Sequence, residues 1–546
     1  MKLKHFSILI LLIIVISCNG KTPSCDIVIE NGMVYDGSGG KPYIGTVAIS
    51  NEQILYVGLP KQFNSKKRIN AKGKAVTPGF INMLSWAYGS LLEDGRSLSD
   101  IKQGVTLEVF GEGTSPGPRG IKDSSNYMSF GEAMMKLESN GVSTNIASFL
   151  GATTVRIQEV GYDNRKASDN ELTNMMALVE KSMKEGAMGI GSSLIYAPAD
   201  YADTDELISL SKVASEYGGM YISHIRNEDD KVLDAIDELI AISKTANIPA
   251  EIYHLKASRK SNWHLLDQII EKIEKARAEG LKITADMYTY NASSTGLTGV
   301  IPTWIQEGGH RAWINRMQEP GPRERILEDI RQELNQQDPE GILMVGFNKE
   351  SMAKKYMGMT IAQAAKIRNQ TPEETIVDLV IEDDSRIQCI YFSMSEDNIR
   401  KKLKLPWVSF CSDAGSYSDP AEGFRTHPRA FGSFIRVLGK YSRDEGLISL
   451  EEGVRKLTGF PAQNLGLKDR GFLKEKYYAD IVIFDPKKVS DNATFNDPIQ
   501  YAEGIEQVIV NGQHVIENGS HTGIFSGKFV KGPGYKKIKN YDMHHQ

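Results

Sequence analysis

A chain of 546 residues with 40% apolar and 24% charged side chains can bury one large α/β domain and a smaller companion. Its 64 basic and 69 acidic residues leave a formal charge of −5, so no global field favours nucleic acid and no such partner is expected.

The first residues read as an export signal. Lys2 and Lys4 precede an apolar run from Phe6 to Ile16, shorter than the roughly 20 residues a membrane-spanning helix needs. Val15-Ile16-Ser17-Cys18 then resembles the lipobox of bacterial lipoproteins, in which the cysteine carries a diacylglycerol. Residues 1–18 are therefore expected to be a lipoprotein signal peptide and 19–25 a tether. Asn19 after the cysteine favours the outer membrane over inner-membrane retention. The lipid anchor at Cys18 is the only membrane attachment expected, in the cell envelope. The remaining Cys25, Cys389 and Cys411 are odd in number and widely spaced, not a disulfide framework, and Cys411 reads as a core thiol.

Residues 26–75 carry short strand patterns broken by turn residues, "DIVIENGMVYDGSGG" and "GTVAISNEQILYVG". Residues 461–535 end alike, in "YADIVIFDP" and "IEQVIVNGQHVIENG". The pairs Asn31-Gly32 and Asn511-Gly512 mark hairpin turns. One small β-sandwich built from both chain ends is the expectation, with 536–546 as a lysine-bearing tail.

Between them, from 76 to 460, strands alternate with amphipathic helices. Ser168 and Glu171 are spaced as a capping box ahead of a stripe of Leu172, Met175, Met176, Val179 and Met183. The strand "MYISH" ends in His224. A helical repeat later, "AEIYH" ends in His254, and "KITADMY" follows another helix. Strand–helix units of about 30 residues in series imply parallel strands with helical crossovers, hence a (β/α)₈ barrel. Residues 303–340, Pro- and Arg-rich and then charged, fit no repeat and read as an insertion over the barrel mouth.

Function in such barrels gathers at the C-terminal ends of strands. His224 and His254 end adjacent strands one repeat apart, and "GVTLEVFGEGTSPG" runs apolar through Val109 and Phe110 into Glu112. Two imidazoles and a carboxylate suit Zn²⁺ with one position open for water. Asp413, in "FCSDAG", also closes a strand, where a carboxylate can take a proton from water and pass it to a leaving nitrogen.

The stretches "VTPGFIN", "GVTLEVFGEG", "SHIRNE", "YHLKAS", "DMYTYNASSTGL", "FCSDAG", "THPRAFGSFIRVLGKY" and "LTGFPAQNLGLKDRG", in this order, make the chain resemble the N-acyl-D-amino-acid deacylases (D-aminoacylases) of the metal-dependent amidohydrolase superfamily. The resemblance runs from Asp26 to about Gly534. It implies hydrolysis of the amide of an N-acylated D-amino acid by a zinc-dependent enzyme, with D-specificity carried by the likeness alone. It matches His224 and His254 to the ligands of the tightly held zinc. Glu112 is the nearest acidic match, with Glu108 second, and the cysteine of some members aligns with Gly113. Asp413 matches the catalytic aspartate. Tyr288, Ser294 and Arg429 match residues that hold the substrate carboxylate, a role suited to an Arg fork and hydroxyls. His427 is left outside the catalytic set.

The chain departs from the pattern in "PGFINMLSWAYGS", where Leu84 and Trp86 replace the His-x-His pair of a second, weaker metal site. One zinc per chain is therefore expected, in a drier pocket, with Trp86 on the barrel floor reshaping it. The alternatives are a dipeptidase or cyclic-amide hydrolase, or a degenerate barrel that binds without cutting.

Overall fold

The computed structural model describes residues 22–120 and 124–535; the expected signal peptide, Cys18 and the tail at 536–546 lie outside the described residues. Both chain ends enter one nine-stranded sheet. Its seam is the antiparallel pairing of Ala75–Pro78 with Ile481–Phe484, which places Val76 opposite Ile483. From there the sheet runs one way through Ile505–Val510 and Gln513–Glu517, and the other through Ser24–Val34 and Tyr43–Ser50. Asn64–Asn70 pairs parallel with the first strand. That pairing reaches back to Ser24, so Cys25, expected in the tether, is instead buried in the sandwich.

The barrel closes through eight parallel segments. Phe80–Asn82, Val105–Phe110 and Asn145–Ser148 form one arc. Gly189–Ser193, Met220–His224, Ala250–Ile252 and Ile283–Ala285 form another, joined to the first where Met188 N–H donates to the Ser148 carbonyl. The eighth is the segment 407–414: Ser409 N–H donates to the Ala285 carbonyl on one side, and Asp413 N–H to Leu84 on the other. Amphipathic helices clothe the ring, among them Asp169–Glu185. There Ser168 and Glu171 make the reciprocal capping bonds their spacing implies, and Met175, Val179 and Met183 are buried.

The insertion is larger than 303–340. It includes an antiparallel sheet of Ser293–Gly296, Gln388–Tyr391 and Ile342–Gly346. Helices His310–Gln318, Pro320–Leu334 and Pro372–Asp383 help cover a separate core containing Ile314, Ile330, Ile376 and Val380. Its second half escaped notice because "GILMVGF" followed by amphipathic helices has the same periodicity as a barrel repeat. This subdomain walls the C-terminal end of the barrel, where function was expected.

Barrel and sandwich are tied by a buried polar knot. Asp480 pairs with Arg470, accepts the Asn511 backbone N–H at 2.8 Å and accepts from the Asn145 side chain at 3.2 Å. Asn145 and Asn511 bond each other at 2.8 Å, so a barrel strand and a sandwich hairpin share one network. Truncating Asp480 strands a buried guanidinium. Asp480→Ala is expected to lose about 3–5 kcal/mol in chemical denaturation, with a matching fall in the thermal midpoint; an unchanged midpoint would dismiss the knot as a structural tie.

Candidate metal centre

Three strand ends bring Glu112, His224 and His254 together, with one donor atom from each inside 4.8 Å of the others. Oε1 of Glu112 lies 2.7 Å from Nδ1 of His224 and 3.2 Å from Nε2 of His254. The two imidazoles stand edge to face, with centroids 4.4 Å apart. A zinc ion with ligand bonds near 2.1 Å needs donors spaced roughly 3.4 Å apart, so the side chains need spread only slightly to admit one. The other nitrogen of His224, Nε2, is buried without a hydrogen-bond partner, 3.5 Å from Oε2 of Glu228.

The electrostatics favour a cation. Burial works to raise the Glu112 carboxyl, but hydrogen bonds from the two histidines outweigh it and hold the group well below the usual carboxylate range. Burial and the Lys256 ammonium press His254 down, yet Glu228, Asp413 and Glu112 lift it to about 10. Around these rings, three carboxylates face only two fixed cations, Lys256 and Arg429. A buried set of two imidazoles and a carboxylate with converging donor atoms suits a divalent ion.

Glu108, the second acidic candidate, is elsewhere. Its carboxylate accepts from Ser85 at 2.7 Å, Ser97 at 2.5 Å and Thr144 at 2.9 Å, and burial raises its pKa. Gly113 cannot carry a ligand either. Its φ is +66°, and a Cβ there would meet Cβ of Ser193 at 2.6 Å. In this chain the carboxylate one residue earlier is the available donor.

Asp413 sits beside the triad, held on both oxygens. Arg429 Nη1 donates to Oδ2 at 2.5 Å and Trp86 Nε1 to Oδ1 at 3.2 Å. Asp413 and His254 both adopt left-handed backbone, φ +49° and +34°, conformations costing about 1–3 kcal/mol each in a non-glycine residue. Asp413 N–H is held by the Leu84 carbonyl at 2.9 Å, His254 N–H by Oδ1 of Asp286 at 2.6 Å.

The three carboxylate-binding candidates line the same cleft, of about 1110 Å³. The Arg429 guanidinium lies over the Tyr288 ring at 4.6 Å, and its buried Nε has no partner. The Tyr288 hydroxyl reaches only the Met394 sulfur, at 3.3 Å. Ser294 is less available: its hydroxyl donates to the Cys389 carbonyl at 2.8 Å and accepts from Gln388, while its carbonyl accepts from Arg429. His427 accepts the Arg429 backbone N–H on Nδ1 at 3.0 Å and donates from Nε2 to the Ala292 carbonyl at 2.9 Å, which makes it a neutral support for that helix start.

Sequence reasoning missed Glu228 and Lys256. Glu228 Oε1 lies 3.1 Å from Nδ1 of His254 and 2.6 Å from the Lys256 ammonium, orienting the imidazole from behind. Their signal was in "SHIRNE" and "YHLKAS", four residues after one histidine and two after the other. Trp86 was misplaced. Leu84, fully buried, occupies the floor, whereas Trp86 is 46% exposed on the wall of the cleft.

The amidohydrolase family model matches residues 67–516. The N-acyl-D-glutamate deacylase of Alcaligenes xylosoxydans xylosoxydans is 30% identical over 499 residues, spanning 89% of this chain and 93% of the relative. A D-aminoacylase structure, described by a binuclear metal centre with one-metal activation and second-metal attenuation, superposes with a TM-score of 0.78 at 28% identity, covering 93% of this chain and all of the other. The N-acyl-D-glutamate deacylase of Bordetella bronchiseptica, solved with zinc and a phosphonate mimic of the tetrahedral intermediate, gives a TM-score of 0.78 at 26% identity with the same coverage. The chain therefore belongs to the amidohydrolase family, within its group of D-aminoacylases and N-acyl-D-amino-acid deacylases, metal-dependent enzymes that cleave carbon–nitrogen bonds other than peptide bonds.

Proposed function

We propose that this chain deacylates N-acyl-D-amino acids with a single zinc ion held by Glu112, His224 and His254. The observation that carries the reading is Asp413 beside that triad, with each oxygen held by one donor, Trp86 or Arg429. Held by these three residues, a zinc ion would supply Lewis acidity toward the scissile carbonyl and would bring the pKa of water to about 7.

The chain's own groups account for the rest. Asp413, paired with the Arg429 guanidinium, is poised to accept a proton from water as it attacks the acyl carbon. As the C–N bond breaks, the same carboxyl returns that proton to the departing nitrogen, leaving a free carboxylic acid and an amine. The substrate's own carboxylate finds the unpartnered Nε of Arg429 and the weakly engaged hydroxyl of Tyr288. Ser294 contributes through its carbonyl contact to Arg429 rather than through its hydroxyl. The cleft of about 1110 Å³ leaves room for a bulky acyl group or amino-acid side chain.

The primary test is a hydrolysis screen of paired N-acyl-D- and N-acyl-L-amino acids with and without a chelator. Turnover of D-substrates alone, abolished by chelation and restored by zinc, is the expected result. Turnover confined to dipeptides or cyclic amides would replace the substrate class, and a metal-free protein inert to all of them would make it a binding module. Two variants separate the roles. His224→Ala should lose both zinc and hydrolysis, whereas Asp413→Asn should keep zinc and lose about 10²–10⁴-fold in kcat; an Asp413→Asn enzyme at full rate would remove that residue from the reaction.

We also place the protein in the cell envelope, anchored by lipid on Cys18 of the lipobox-like Val15-Ile16-Ser17-Cys18. Cys18→Ala should shift it from the detergent phase to the aqueous phase on partitioning. Wild-type protein found in the aqueous phase would refute the anchor.

A further inference from the structure

We propose that Trp86 is a positioning residue whose indole N–H clamps Glu112 to Asp413, taking the oxygens a second cation would need and so keeping the site at one metal ion. The inference rests on the reading of Glu112 as a ligand and Asp413 as the proton carrier. Its basis is a shared donor: Trp86 Nε1 lies 3.0 Å from Oε2 of Glu112 and 3.2 Å from Oδ1 of Asp413. The free oxygen of the ligand carboxylate and the free oxygen of the base thus converge on one N–H.

That placement is built into the backbone. Ser85 N–H donates to the Val109 carbonyl at 2.8 Å, on the strand that leads to Glu112. Trp86 N–H donates to the Ala414 carbonyl at 2.9 Å, next to Asp413. Ser85 Oγ is itself fixed, donating to Glu108 at 2.7 Å and accepting the Ala87 N–H at 3.1 Å. The segment carrying Trp86 is therefore pinned to both residues its side chain joins. Although the residue is 46% exposed, its one polar atom points inward.

The chemistry of the pair at 84 and 86 explains the consequence. An indole N–H donates but offers no lone pair in its plane, so it cannot ligate a metal. Leu84, fully buried among apolar neighbours such as Met83, Tyr253 and Tyr288, has no ligand atom in its side chain. Two carboxylates brought to a common point repel unless something positive lies between them. A metal ion is one such group; a fixed N–H is a weaker one that brings no net charge and cannot leave. One D-aminoacylase is described by one-metal activation and second-metal attenuation, so its rate is open to a second metal. Here we expect it not to be.

The test compares wild type with Trp86→Phe, which keeps an aromatic wall and removes the donor, and Trp86→His, which restores a ligand. Zinc is counted by elemental analysis after equilibration with excess zinc, and kcat and KM are measured across the same zinc range. Wild type should hold one equivalent and show a flat rate. Trp86→Phe should keep its first zinc and its KM but lose about ten- to a hundredfold in kcat, as expected for a hydrogen bond to a charged group. Trp86→His should take up a second, weaker equivalent and become inhibited by excess zinc. The proposal is overturned if wild type binds two zinc ions, if Trp86→Phe matches wild type in kcat, or if it loses the first zinc. The zinc count of wild type and Trp86→His requires no substrate, so a wrong substrate class would leave that arm intact.

Discussion

The site depends on burying one carboxylate. Glu112 is 3% exposed, and a buried anion is tolerated only when its lone pairs are met and its charge is balanced. Here one oxygen faces two imidazoles and the other an indole N–H. Each partner comes from a different strand end, so the carboxylate acts as the common point against which three parts of the barrel rim are set. Glycines make room for it: Gly111 lies against Phe149 and Gly113 against Ser193, where a side chain would collide. With the main chain this close on both sides, Glu112 has little freedom to turn away.

What was legible in the sequence follows from that arrangement. His224 and His254 could be read because they end successive strand–helix repeats, and equivalent positions in neighbouring parallel strands face one point. Glu112 could be read because Val109 and Phe110 lead straight into it at the strand's end. Other partners were not legible, since no periodicity ties them to the rim. Glu228 reaches back to the histidines from the loop after one strand, and Trp86 crosses from the strand on the other side. The tryptophan was assigned to the floor because the motif places two ligands there. Alternation along the segment puts Leu84 inward, and the turn that follows carries Trp86 to the rim. The insertion was cut short at 340 because its second half repeats the barrel's own period, and only its separate core distinguishes it.

The barrel interior beneath the site is less apolar than Leu84 alone would imply. Glu251 and Asp286 are buried there side by side. Burial and the neighbouring Asp286 push the Glu251 carboxyl upward, while its Oε2 accepts from Thr284 and Asn464. Asp286, pushed up by burial but drawn back by His254, stands at about 6. Of the two, Asp286 is the member bonded to the His254 backbone.

This placement explains why a strained residue can be a reliable ligand. His254 adopts φ +34°, a conformation it would leave if only its side chain were held. Oδ1 of Asp286 accepts its N–H from below, Glu228, itself tied to Lys256, meets Nδ1 from the side, and Glu112 meets Nε2 from above. A rotation that relaxed the backbone would break contacts on every one of these sides. Asp413 is restrained in the same way, through its N–H by Leu84 and through its carboxylate by Arg429 and Trp86. These two left-handed residues set the distance between the candidate metal-binding imidazole and the carboxylate beside it. Their strain is the cost of a site whose spacing is fixed in advance, with each strained residue held through its backbone as well as its side chain.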